Sequence, residues 1–287
     1  MARRYRGLGA AVIILVLVAA LAPGQSRSRP SGGARSASVA ARRAAQRATL
    51  GVRTAPGRIA RHATSRPRGG TTSVAYYNWA GYADDNSSGT TYLSVSGHWT
   101  QPTMTCPTHE YQVAVFWVGL DGFNNGTVEQ DGTLAECYEG VAYYYTWWEM
   151  YPTNSITIVG NAKAGDAVTA SVLYSSGKFH LRVTDVTTPA ASLLETEACG
   201  AGLTCARASA EWIAETPSQA RGYYPLPDFA TWHLLSAHVT GGATRGVISS
   251  FPDDVIDLIS IAPYNLATTS TLAPTGTSFT AVWDNSY

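Results

Sequence analysis

Residues Val141–Pro152 read VAYYYTWWEMYP, and this stretch decides the fold. Side chains on a β-strand point alternately to its two faces, so here Tyr143, Tyr145, Trp147, Glu149 and Tyr151 share one face. Tyr144, Thr146, Trp148 and Met150 share the other. A face of rings holding a single carboxylate reads as a binding surface; the alternative is an aromatic core with Glu149 at its rim.

The same grammar extends outward. Segments rich in Val, Thr, Tyr and Trp recur about every ten residues: Tyr92–Trp99, Gln112–Val118, Ala167–Tyr174, Lys178–Asp185, Ala208–Ala214 and Phe279–Trp283. Asp121-Gly122, Asn125-Gly126, Asp131-Gly132 and Ser176-Gly177 read as turns between them. Short strands without alternating helices predict an all-β domain, two antiparallel sheets packed face to face as a β-sandwich.

Two further segments carry chemistry. In Ser209–Glu215 (SAEWIAE), Glu211, Ile213 and Glu215 share a face opposite Trp212 and Ala214. Carboxylates on a mostly enclosed face bear a desolvation cost unless paired or protonated, which is how acids with shifted pKa values arise. An exposed strand end is the alternative. Upstream, Trp117–Gly122 leads into Thr127–Gly132, where two Asp-Gly pairs bracket a short strand presenting Gln130.

Charge divides the chain. Up to Gly70 there are 14 arginines and no acidic residue; beyond it stand 6 basic and 20 acidic residues, a balance of −14. The first part opens with a basic head and an apolar run from Gly7 to about Ala22, the layout of a signal peptide over residues 1–25. An uncleaved membrane anchor is the alternative, and no Cys follows the run to serve as a lipid attachment site. Residues 26–72, rich in Arg, Ala, Ser, Gly and Pro, lack the apolar surface to fold alone and read as a disordered basic propeptide held by charge on the acidic domain. A nucleic-acid arm is disfavoured by export. Residues 73–287 form the mature domain, with nothing signalling an oligomer, so a secreted, extracellular monomer is expected, free of the membrane once the signal is cut.

The four cysteines, Cys106, Cys137, Cys199 and Cys205, suggest two disulfides in an exported chain. Three pairings are possible; Cys199–Cys205 as a local staple with Cys106–Cys137 is favoured. The sequence has no G-x-S-x-G elbow, HExxH, P-loop or GxGxxG, and the six histidines lack ligand spacing, so no metal and no cofactor is expected.

In order and spacing, Asn78-Trp79-Ala-Gly81, Trp117–Gly122, Glu129-Gln130-Asp-Gly132, Trp147–Pro152 and Ala210–Glu215 resemble the glutamic peptidases, or eqolisins. The resemblance covers about residues 73–287. It implies a lectin-like (concanavalin A-type) jelly roll whose concave face takes polypeptide substrates. It also implies an acid-active, metal-independent endopeptidase whose catalytic residues are Gln130 and Glu215, with Trp79, Trp117, Asp121, Trp147, Glu149 and Tyr151 lining the cleft. Glu215 is followed here by Thr216-Pro217, a departure from the fungal members that bears on the neighbouring subsite. Two other readings of the sandwich are a retaining glycoside hydrolase using Glu211 and Glu215, and a carbohydrate-binding module.

Overall fold

The period-two stretches fold as strands. The computed structural model describes residues 52–60, 72–262 and 264–286. In chain order the strands are β1 (Thr72–Tyr76), β2 (Trp79–Asp84), β3 (Tyr92–Thr100), β4 (Gln112–Leu120), β5 (Val128–Tyr138), β6 (Val141–Tyr151), β7 (Thr157–Ala162), β8 (Ala167–Ser175) and β9 (Lys178–Asp185). They continue with β10 (Leu193–Glu197), β11 (Ala210–Glu215), β12 (Ser218–Gln219), β13 (Gly222–Tyr223), β14 (Thr231–Gly241), β15 (Thr244–Gly246), β16 (Asp253–Ile259), β17 (Asn265–Thr269) and β18 (Phe279–Trp283). Helix among the described residues is confined to two single 3₁₀ turns, Pro189–Ala191 and Ile248–Ser250.

All but the β12–β13 pair belong to one hydrogen-bonded path, β10-β9-β8-β3-β14-β18-β17-β16-β2-β11-β4-β5-β6-β7, with β1 beside β16 and β15 beside β14. Neighbours run antiparallel except β1 and β16. The sheet curls until β4 and β5 lie over β8 and β9. Right-handed twist accumulated over many strands produces such curling.

Alternation gives the curled sheet two apolar faces. Phe116, Val118, Ala135, Met150, Trp212 and Ala214 enter the main core with Trp99, Phe179, Leu181 and Trp232. Val115, Trp117, Leu134, Tyr145, Trp147 and Ile213 gather on the opposite face with Tyr76, Trp79 and Phe123. The division expected for VAYYYTWWEMYP holds: Tyr145 and Trp147 lie in the second cluster, while Tyr144 and Trp148 pack against the first.

One expected turn is absent. Asp131-Gly132 lies inside the long strand β5, paired with Val118 and Trp117. Gly132 serves close approach instead, since a Cβ there would meet the Phe116 carbonyl oxygen at 2.0 Å. Both expected disulfides are present, Cys106–Cys137 with a Cα separation of 5.2 Å and Cys199–Cys205 with 5.9 Å.

The signal segment and most of residues 26–72 lie outside the described residues. Residues 52–60 are described, and they lie against the acidic domain through backbone bonds. The segment forms isolated antiparallel bridges from Arg53 to Ser218 and from Ile59 to Tyr76. Its backbone is bonded along the way, Gly57 N–H to the Gly122 carbonyl, Ala60 N–H to Ala75 and Tyr77 N–H to Arg58. Low apolar content forbids folding alone; a neighbouring groove lifts that limit. No helix among the described residues is long and apolar enough to cross a membrane.

Candidate active site

The second apolar face is laid out by register. Across β11, β4, β5 and β6, one row reads Glu211, Gly119, Gln130, Glu149; two residues along, the next reads Ile213, Trp117, Gly132, Trp147. Two further along stand Glu215, Val115, Leu134 and Tyr145. Gln130, Glu149 and Glu215 are all wholly buried, as are Trp79, Trp117 and Trp147. The indole of Trp117 packs edge-on against Trp79, ring centroids 5.1 Å apart, and its Nε1–H donates to Glu215 Oε2 at 2.9 Å.

Gln130 and Glu149 are direct neighbours, with Nε2 to Oε2 at 3.4 Å. Glu215 starts four residues away along the strands, and the segment 52–60 spans the offset. The hydroxyl of Thr54 accepts from Gln130 Nε2 and donates to Glu149 Oε2, and the Thr54 N–H also reaches that oxygen at 3.3 Å. The next residue, Ala55, donates its N–H to Glu215 Oε1 at 3.1 Å. Consecutive residues of one peptide are therefore gripped by Gln130 and Glu215. Asn78 secures the same stretch, accepting from Arg58 N–H at 2.9 Å and donating to the carbonyls of Ala55 at 3.3 Å and Pro56 at 3.2 Å.

Burial sets the electrostatics. Desolvation, which disfavours the charged form, pushes the Glu149 carboxyl up to about 8, against the opposing bonds from Thr54 and the nearby Arg53. Glu215 is also raised well above the usual carboxylate range, first by burial and then by Glu149, while the Ala55 N–H, Trp117 and Asn78 pull it back down. Glu211 is raised by burial too, but its charged neighbours are Asp121, Glu129 and Asp84.

Asp121 does other work than facing a peptide. Its carboxylate accepts the backbone N–H groups of Arg207 and Ala208, each at 2.7 Å, and the Asn125 amide at 2.6 Å. These bonds tie the β4–β5 turn to the chain entering β11, fixing Gln130 relative to Glu215. Tyr151, opposite Val128 at the end of β6, is half-buried at the edge of the cluster. Among the described residues no group of three or more His, Cys, Asp or Glu side chains is disposed to hold a metal ion.

Sequence reading passed over Thr54 and Asn78 as site residues. Asn78 opens the quoted Asn78-Trp79-Ala-Gly81 motif, but nothing local in VRTAPGRIA marks Thr54 as the residue that meets Gln130.

Comparison with the curated proteins found no match. Among solved structures the chain is similar to scytalidoglutamic peptidase bound to a transition-state analogue inhibitor, with a TM-score of 0.61 and 19% identity over 72% of this chain and 98% of that one. It is also similar to SCP-B, an eqolisin in complex with the tripeptide Ala-Ile-His, at TM-score 0.58 and 18% identity with the same coverage. Aspergilloglutamic peptidase from Aspergillus niger aligns at TM-score 0.53 and 25% identity over 60% of this chain and 99% of its own. The model of the Peptidase A4 family matches residues 77–281, spanning β2 to β18 and every buried acid and indole of this face. The chain belongs to the Peptidase A4 family, the glutamic peptidases, and is a peptide hydrolase.

Proposed function

We propose that the protein is a secreted, acid-active endopeptidase in which Glu215 and Gln130 form the catalytic pair. The carrying observation is that adjacent residues of one peptide, Thr54 and Ala55, are hydrogen-bonded by Gln130 and Glu215 on a buried aromatic face. With substrate bound, Glu215 takes a proton from water as the oxygen adds to the scissile carbonyl carbon. It then passes that proton to the amide nitrogen as the C–N bond breaks. Gln130 Nε2–H donates to the carbonyl oxygen as charge gathers there, a contribution of about 3 kcal/mol for a well-placed donor. Glu149, beside Gln130, orients that amide, Asp121 holds the loops, and Trp79, Trp117, Trp147 and Tyr151 bind the peptide. Acid operation needs Glu215 ionised, which burial opposes and the hydrogen bonds from Trp117 and Asn78 favour.

Residues 1–25 act as the export signal, 26–72 as the propeptide and 73–287 as the catalytic domain, a monomer whose curled sheet forms the two layers of an eqolisin sandwich. Two disulfides among the described residues agree with export. The glycosidase alternative is disfavoured: Glu211 and Glu215 are four residues apart on β11, about 13 Å at strand rise, where a retaining pair needs about 5 Å. Hydrolysis of denatured casein but not β-glucan at acid pH, unaffected by chelator, is the expected result. Glu215→Gln should abolish it with the fold intact, and Gln130→Ala should lower kcat about 10²- to 10³-fold with KM little changed. Near-full activity in either variant removes that residue from its role.

A further inference from the structure

The layer of β10, β9, β8, β3, β14 and β15 turns a side to solvent whose composition is unlike the rest of this acidic domain. Alternation directs Lys178, His180 and Arg182 of β9 outward, because Phe179, Leu181 and Val183 enter the core. On β3 the outward positions are Ser94, Ser96 and His98, and on β8 they include Thr169 and Ser171. Strand β14 adds His233 and His238, and β15 adds Arg245. Four of the five histidines and three of the six basic residues beyond Gly70 therefore share one face. None of the 20 acidic residues joins them at an outward position of these strands: Glu195 and Glu197 of β10 share the side of Leu193, and Asp185 is buried. The charged neighbours of the imidazoles are themselves basic. Arg245 lines the same groove as His238, and Lys178 and Arg182 flank His180. His98 and His233 stand beside Thr169, Leu235 and Thr280.

We infer that this face docks an acidic polysaccharide, a chain with carboxylates at intervals and hydroxyls between them, and holds it in acid. Register lays out the matching groups. One row across the strands reads His238, Ser96, Ser171, Arg182, so two cations stand about 14 Å apart at the usual strand spacing with hydroxyls between. The next row reads Arg245, Thr240, Ser94, Leu173, His180 and repeats the pattern. A groove of about 690 Å³ follows these rows, lined in part by Ser94, Ser96, Ser171, His238, Thr240 and Arg245. Arginine and imidazolium bond carboxylates, and the serine and threonine hydroxyls can bond those of a sugar. His98 and His180 are each held through Nδ1 by a threonine on the neighbouring strand, Thr169 at 3.3 Å and Thr196 at 3.1 Å, which leaves the other ring nitrogen for a ligand. Histidine ordinarily gains its charge between pH 8 and pH 5, a range in which a uronate stays ionised. A membrane is a poorer fit, since Leu173, Leu194 and Leu235 stand in three separate rows and no Trp, Tyr or Phe points outward to insert. Single-stranded nucleic acid lacks the rings on which its bases would stack. The face is turned away from Gln130 and Glu215, which lie on the far side of the opposite layer, so a docked chain leaves the cleft open.

The test uses the full-length chain and polygalacturonate fixed to a sensor surface, with dextran as the uncharged control. Affinity at pH 5 should exceed that at pH 8 by at least about 10-fold, fall in half-molar salt and be absent on dextran. His180→Gln combined with His238→Gln should bring the affinity at pH 5 down to the wild-type level at pH 8. Arg182→Glu combined with Arg245→Glu should lower affinity at both pH values by at least about 10-fold, while a short soluble peptide is hydrolysed at the wild-type rate. Arg221→Glu, a reversal at the exposed β12–β13 turn, controls for net charge and should bind as the wild type does. Unchanged binding in the Arg182 and Arg245 variant would assign the polymer to the arginines before Gly70 and overturn the proposal. Unchanged affinity at pH 5 in the histidine variant, or equal binding to dextran, would overturn it too. So would capture by phosphatidylglycerol vesicles in preference to polygalacturonate, which would make the partner a membrane. Each of these results leaves the peptidase assignment standing.

Discussion

Trp117 shows how much one residue can set at this site. Its ring closes against Trp79 and its Nε1–H holds Glu215 Oε2 at 2.9 Å, a bond that favours the carboxylate form. Trp117→Phe keeps most of the ring and removes the donor. The Glu215 pKa then rises further, so a reaction that needs the carboxylate loses rate on its acid side. The expected outcome is a kcat lowered on the order of 10-fold, with the acid limb of the kcat profile moved to higher pH. An unmoved limb would mean that Glu215 is not the group titrating there. Part of this was legible in the sequence, because the period of two put Trp147 with Glu149 and Ile213 with Glu215. Thr54 was not legible: its role depends on a groove built by strands far along the chain, and its own neighbours, Arg53 and Ala55, give no sign of it.

At the scale of elements, legibility tracked regular alternation. Lys178–Asp185 was readable to its ends because every second residue is buried. Strand β14 was harder, since its pairing with β3 shifts register between Leu235 and His238, where Ser236 takes a left-handed φ of 52°, and the apolar phase slips. Strand β5 hid behind Asp131-Gly132, a turn by composition and a close approach in fact. The disulfides act at this scale too. Cys106–Cys137 closes a span of 31 residues, tying the segment before β4 to the end of β5, while Cys199–Cys205 closes one of 6. Loop-closure entropy predicts that removing the first by paired Cys→Ala changes costs about 4 kcal/mol and the second about 2 kcal/mol. Denaturant midpoints at fixed slope measure both, and a reversed order would mean that strain or residual structure outweighs chain entropy here.

For the whole molecule, the governing feature is how many acids the curled sheet encloses. Asp84, Glu129, Asp131, Glu149, Glu211 and Glu215 are all held well above the carboxylate range, burial being the largest cause for each. In the unfolded chain each would lose its proton near pH 4. The folded state therefore binds more protons, and this contribution to stability is complete below the unfolded values and lost as pH rises through the folded ones. For Glu149 the window runs from its ordinary 4.5 to about 8. The melting temperature of the full chain should then be highest near pH 4 and fall by about 10 °C by pH 8, since each kcal/mol shifts a domain of this size by roughly 2–4 °C. General repulsion within the acidic domain predicts the same direction, but salt screens it, whereas it does not restore water to a buried carboxyl. The fall should therefore persist in half-molar salt, measured by calorimetry, and Asp131→Asn, which removes one buried titration inside the core, should flatten it. A fall that vanishes with salt would assign the acid preference of the fold to surface charge and leave the enclosed carboxyls without a part in it.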